Sequence, residues 1–297
     1  MPRKIAKSGG SLAATRFGGV RARLEAFTPQ PGPQSWLYEF LLFGFKQAWA
    51  CLFGGLMLAL LMGTHLFYPD GADLPRYDFL TLAALAIQLA MLGFRLETWN
   101  EAKVILAFHV VGTIMELFKT YAGSWVYPEP SYLRIGDVPL FSGFMYAAVG
   151  SYIARVWRIF DFRYTHYPPA WTTYALAAAI YVNFFAHHFF VDLRLGFFVL
   201  LGAVHLRTRI YFRVWRNDRW MPLLLGWFLV TIFIWFAENI ATFARAWTYP
   251  GQAEVWTMVS FGKLGAWYLL MYISFVLLAA VHKPAANTAL AQQPEAG

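Results

Sequence analysis

The chain has 297 residues, of which 59% are hydrophobic, 19% aromatic and only 13% charged. Soluble domains carry roughly 25% charged residues, so that class is excluded, and apolar runs of about 20 residues, long enough to cross a hydrocarbon core as helices, recur along the sequence. The net charge of +8 reads as membrane topology; no nucleic-acid motif accompanies it, and no nucleic-acid partner is expected.

Residues 1–36 are basic, carrying Arg3, Lys4, Lys7, Arg16, Arg21 and Arg23 among Gly, Pro and Ser. They read as a disordered cytoplasmic tail, without the apolar core that a cleavable signal needs. A membrane domain over 37–282 follows, with spans expected near 43–68, 77–97, 102–122, 138–160, 170–190, 195–213, 220–243 and 257–281. Residues 283–297 read as a second disordered tail. The expected fold class is all-α, a polytopic membrane bundle of about eight transmembrane helices. Cys51, the sole cysteine, reads as a buried small hydrophobe and leaves no disulfide to form within one chain.

An even number of spans puts both termini on one side. Most of the 24 Lys and Arg residues fall on that side, leaving Arg76, Lys119, Arg134, Arg194, Arg245 and Lys263 on the other, so both termini are expected in the cytoplasm. The segment Glu116–Pro128 returns 122 residues later (238 against 116) as Glu238–Pro250, with identity at Glu116/Glu238, Thr120/Thr242, Ala122/Ala244, Trp125/Trp247, Tyr127/Tyr249 and Pro128/Pro250. The same shift relates His65 to His187, Asp70 to Asp192, Gly143 to Gly265 and Tyr146 to Tyr268. It predicts two parallel four-span repeats, about 43–160 and 165–282.

Every polar pair preserved by this shift belongs to the outer pole. A carboxylate within the membrane is costly and belongs in the bundle interior. On the third span His109, Thr113, Glu116 and Thr120 share one helical face; Thr231, Trp235, Glu238 and Thr242 do so on the seventh. Glu116 and Glu238 are therefore the candidate catalytic acids. His65, His187, His188, His109, Asn239, Thr120, Thr242, Trp125, Trp247, Tyr127, Tyr249, Tyr146 and Tyr268 are candidate binding or supporting groups. A plainer reading stands beside each. Glu116 could simply pair with Lys119, the His/Asp pairs could cap the interface, and the Trp and Tyr pairs could anchor in the headgroup belt. No cofactor is expected. The His and carboxylate side chains are of the type that binds iron or zinc, yet no HxxxH, HxxHH or ExxH spacing is present.

The runs Glu39–Cys51 (EFLLFGFKQAWAC), Gly112–Thr120 (GTIMELFKT), Val138–Tyr152 (VPLFSGFMYAAVGSY) and Trp235–Thr242 (WFAENIAT) resemble the bacterial membrane-protein family catalogued as domain of unknown function 817, over about 36–282. That resemblance implies a multi-pass protein of the bacterial inner membrane and carries no established activity. Glu116, Gly123, Trp125, Tyr127 and Gly136-Asp137-Val138-Pro139 are also similar to the pattern of membrane carotenoid hydratases and lycopene cyclases. Those enzymes protonate a polyene through membrane carboxylates, which implies Glu116 and Glu238 as acids and the Trp and Tyr rings as carbocation stabilisers. Where a second Gly-Val-Pro would stand, the chain has Met258-Val259-Ser260-Phe261.

These readings lead first to an acid-catalysed enzyme acting on a polyisoprenoid or other lipid at the outer leaflet. The alternative is a proton- or cation-coupled transporter of a small solute, and a third reading is a structural or assembly protein. Membrane lipid and a hydrophobic or small-molecule substrate are the expected partners, with the oligomeric state left open.

Overall fold

The computed structural model describes residues 32–282, together with Gly19, Arg23 and Phe27. The tails expected over 1–36 and 283–297 lie almost wholly outside these residues, but Pro33–Trp36 open the first helix. Nine helices are described: α1 Pro33–Ala50, α2 Leu52–Phe67, α3 Arg76–Gly93, α4 Trp99–Tyr121, α5 Phe141–Phe160, α6 Ala170–Ala186, α7 Arg194–His205, α8 Leu223–Phe243 and α9 Gly262–His282. Their starts are legible. α3, α6 and α8 each begin directly after a proline, Pro75, Pro169 and Pro222, whose missing N–H costs nothing at a helix entrance. α4 begins with a capping box in which Thr98 Oγ1 accepts from the Glu101 N–H and Glu101 Oε2 accepts from the Thr98 N–H.

A helix lies at each expected span, but the membrane-crossing count is smaller than eight. By length and composition Leu223–Phe243 and Gly262–Ala280 are sufficient alone, and α1 with α2, bent by 67° at Cys51, would make a third. The remainder fall short for physical reasons. α4 carries Glu101, Lys103, Glu116 and Lys119, α5 carries Arg155 and Arg158, and α7 has 12 residues where a span needs about 20. Cys51, expected to be buried, is exposed at the α1–α2 break.

The described residues are mostly helical, as the all-α expectation has it, with two small antiparallel sheets beside the helices. β1 Arg134–Ile135 and β2 Val138–Pro139 form a hairpin, and β3 Arg163–Thr165, β4 Arg209–Arg213 and β5 Asp218–Pro222 form a three-stranded sheet. The spans expected over 195–213 and 220–243 are thus corrected at both inner ends. Along β4, Ile210 and Phe212 are buried while Arg213 is exposed, the period-2 pattern of a strand. Asp218 holds the sheet by accepting from Arg213 Nε at 2.7 Å and pairing with Arg163 at 2.6 Å.

α5 is central, packed against α1, α2, α3, α4 and α9. One core gathers Trp227, Tyr272, Phe275 and Ile180; another gathers Phe53, Met57 and Ala84. Large apolar side chains nonetheless remain exposed along several helices, among them Phe40, Phe67, Trp171, Leu195, Val199 and Phe233. Apolar exposure on this scale marks contact with something other than water, and together with the long apolar helices it points to membrane association.

Candidate functional site

The C-termini of α4 and α8 end in the same backbone turn. After α4 the Gly123 N–H donates to Thr120 O and the Ser124 N–H to Lys119 O; after α8 the Arg245 N–H donates to Thr242 O and the Ala246 N–H to Ala241 O. This is the Schellman pattern, with Gly123 (φ 69°) and Arg245 (φ 53°) in the left-handed region. The turn sends each following segment back along its own helix. That reversal is why Trp125 and Tyr127 reach Glu116, and why Tyr249 reaches Glu238.

Glu116, 4% exposed, accepts at Oε2 from Trp125 Nε1 (2.7 Å) and the Tyr127 hydroxyl (2.6 Å), and at Oε1 from the Tyr146 hydroxyl (2.6 Å). Glu238, 3% exposed, accepts from the Tyr249 hydroxyl at Oε1 and from Trp267 Nε1 at Oε2 (2.5 Å). An indole N–H can only donate, so one oxygen of each carboxylate is fixed as an acceptor. Burial, and next the neighbouring carboxylate, push the Tyr127 and Tyr249 phenols above their ordinary values; both keep their protons and remain donors.

The two carboxylate cages belong to one network. Val126 and Thr248 exchange backbone hydrogen bonds of 3.0 and 2.9 Å. Trp125 meets Tyr249 edge-on at 6.0 Å, and Tyr146 lies 6.5 Å from Trp267. Lys263 Nζ stands 4.1 Å from the Tyr249 ring centre and 5.2 Å from that of Trp125, in cation–π contact with a ring from each cage.

Six of the expected residues therefore meet: Glu116, Trp125, Tyr127, Tyr146, Glu238 and Tyr249. The others lie around this group or beyond it. Tyr268 donates to Leu224 O, and Trp247 packs beside Leu61, Tyr77 and Phe141 with its side chain reaching Tyr249. Asn239 accepts from the Val259 N–H, and Thr242 from Trp256 Nε1, so both pin the loop after α8. His65 packs against Phe243, and His109 lies against Phe144. His187 Nδ1 is 2.9 Å from Asn183 O, and His188 Nε2 is 2.9 Å from Lys119 Nζ. Thr120 lines an adjoining cavity. Among the described residues no three His, Cys, Asp or Glu side chains converge as metal ligands, so the histidines and carboxylates weighed as a metal set are not brought together.

Lys263 and Trp267 escaped the sequence reading, although their i, i+4 spacing on α9 shares one face. So did the hollow enclosed by the outer loop between α4 and α5. This cavity of about 210 Å³ is lined by Thr120, Tyr127, Glu129, Ser131, Arg134 and Asp137, with Val126 and Pro139. Arg76 fixes the loop by pairing with Glu129 and donating to Ala244 O at 2.6 Å. Asp78, 1% exposed, accepts from the backbone N–H groups of Tyr132 and Leu133 at 2.8 and 2.7 Å. A second buried polar cluster lies further along α5, where Glu97 accepts from Gln88 and Ser151 at 2.5 Å each, and Arg155 donates to Trp49 O.

Residues 39–275 match the family described as "Protein of unknown function (DUF817)". The chain is 44% identical over 243 residues to "Uncharacterized protein YoaT" of Bacillus subtilis (strain 168), a match covering 82% of this chain and 91% of that protein. No solved structure matches. With most of its length matched at this identity, the chain belongs to the DUF817 family.

Proposed function

We propose that the protein is a multi-pass protein of the bacterial cytoplasmic membrane, built as two parallel repeats, about 43–160 and 165–282, with both termini in the cytoplasm. The matched turns at Gly123 and Arg245 and the matched Tyr127–Glu116 and Tyr249–Glu238 bonds support the repeat. The outer pole binds a proton or small cation and couples it to the movement of a small solute.

One observation carries this reading: two buried carboxylates, Glu116 and Glu238, share a network with a single ammonium, Lys263. With all three ionised, one negative charge stays uncompensated in surroundings where a lone charge costs several kcal/mol. A bound proton or cation removes that cost. Acid catalysis on a polyisoprenoid is the second reading, favoured by the rings of Trp125, Tyr146, Tyr249 and Trp267 around the carboxylates. It has less support from geometry, because the adjoining cavity is lined largely by hydroxyl and charged groups.

The test is proton flux into liposomes loaded with a pH-sensitive dye and energised by a potassium diffusion potential. The wild type acidifies the lumen, and Glu116→Gln or Glu238→Gln lowers the initial rate at least tenfold. A wild-type rate equal to that of empty liposomes, or unchanged rates in both variants, overturns the proposal. Loss of melting temperature with flux intact would assign the carboxylates a structural role.

A further inference from the structure

We propose that the outer cavity beside Tyr127 binds a small zwitterion of the free amino-acid class, its carboxylate on Arg134 and its ammonium on Asp137. This deepens the coupling reading by naming the solute; the binding itself stands on the cavity alone.

Size sets the first limit. A cavity of about 210 Å³ equals roughly seven water volumes and falls below the roughly 300–1,000 Å³ of sites for drug-sized ligands. It suits a molecule of about ten heavy atoms. A polyprenyl chain exceeds it.

The floor is polar and unsatisfied. Ser131 is 8% exposed, and its Oγ, like that of Thr120, is buried without a hydrogen-bond partner among the described residues. Each unpaired buried hydroxyl costs about 1–3 kcal/mol. Both side chains line this cavity, so a ligand offering donors and acceptors relieves both.

The rim carries both signs. Arg134, on β1, and Asp137, beside Gly136 at the tip, are both exposed residues of the β1–β2 hairpin, and neither forms an ion pair among the described residues. Glu129 is already matched by Arg76, so the unmatched charges are one guanidinium and one carboxylate. A simple anion would meet Asp137, and a simple cation would meet Arg134. A zwitterion satisfies the two together.

The walls are set in advance. Asp78 holds the Tyr132 and Leu133 N–H groups, Ser142 Oγ donates to Pro139 O at 2.8 Å, and Gly136 takes a left-handed φ of 57°. Preformed walls spare the ligand the cost of ordering them. The site also reaches the carboxylate network directly. Tyr127, which lines the cavity, donates to Glu116, and Thr120 lies one helical turn beyond Glu116.

The experiment is equilibrium binding to the full chain in lipid nanodiscs, by calorimetry, with each of the 20 protein amino acids. At least one binds saturably. Its 2-hydroxy-acid analogue and its decarboxylated amine each bind at least tenfold more weakly. The exposed-residue variants Arg134→Gln and Asp137→Asn weaken binding at least tenfold without moving the melting temperature, and Ser131→Ala weakens it severalfold. Absence of saturable binding by all 20, or undiminished binding in both rim variants, overturns the proposal. Amino-acid binding without proton flux would sink the coupling reading alone; proton flux without amino-acid binding would sink this one alone.

Discussion

At Gly112 a single methyl group decides whether Tyr146 can stand beside Glu116. A Cβ there would meet the Tyr146 Cγ, Cδ2 and Cβ atoms at 2.5–2.7 Å, and the root of that side chain has no room to yield. Gly112→Ala should therefore cost about 1–3 kcal/mol of stability, the usual penalty of overpacking, and lower proton flux as Tyr146 swings away from Glu116. Gly265→Ala should cost less, because its Cβ meets only the far edge of the Phe198 ring at 3.1 Å. Melting temperatures of the two variants in one detergent check the ranking. Glu116, Tyr127, Tyr146, Glu238 and Tyr249 were legible in the sequence because acids amid apolar residues and a recurring spacing are local signals. Lys263 and Trp267 were not, because their part depends on which face α9 turns toward the outer loops. Nor does the recurring spacing reveal how the two cages differ. Trp125 donates to Glu116, but at Glu238 the indole comes from Trp267 on another helix.

The loop between α4 and α5 owes its shape to α3. Asp78→Ala strands two backbone N–H groups, at Tyr132 and Leu133, that have no other acceptor among the described bonds. An unpaired buried donor costs about 1–3 kcal/mol, so limited proteolysis should cut within 122–140 faster in Asp78→Ala than in the wild type. The inner sheet offers a test by pH. Arg213, through its hydrogen bond, and then Arg163 hold the Asp218 carboxyl below its ordinary value. Such a group binds a proton less readily folded than unfolded. It stabilises the fold above its unfolded value of about 3.9, and that contribution is lost as pH falls through the lower folded value. Half-exposed pairs are worth about 1 kcal/mol or less, so the expected effect is small. The melting-temperature difference between wild type and Asp218→Asn should narrow between pH 6 and pH 3. The helices themselves were readable from apolar runs and from the prolines before them. β4 and β5 were not, because Ile210-Tyr211-Phe212 and Trp220-Met221 look like span ends to any average over hydropathy; alternation at period 2 was the overlooked sign.

For the molecule as a whole, the expected orientation is directly measurable. In a Cys51→Ser background, a cysteine at Asp137 should react with an impermeant maleimide in intact cells, and a cysteine at Arg216 only after lysis. The opposite pattern would invert the topology. The helical class and the family were within reach of the sequence, since composition and long apolar runs persist over the entire chain. The union of the two carboxylate cages was not. Its backbone part is a pair of hydrogen bonds between Val126 and Thr248, and backbone groups carry no sequence signature.

That pair of bonds also orders the events of biosynthesis. The donors to Glu116, at Trp125, Tyr127 and Tyr146, all follow it within 30 residues, so the first cage can close as soon as α5 emerges. Thr248 arrives 122 residues after Val126 (248 against 126), on the order of ten seconds later at about 5–20 residues per second. Trp267 and Lys263 come later still. The nascent first half must wait in the membrane with its carboxylate already satisfied by its own side chains. The second carboxylate is completed only when α9, the final described helix, is in place.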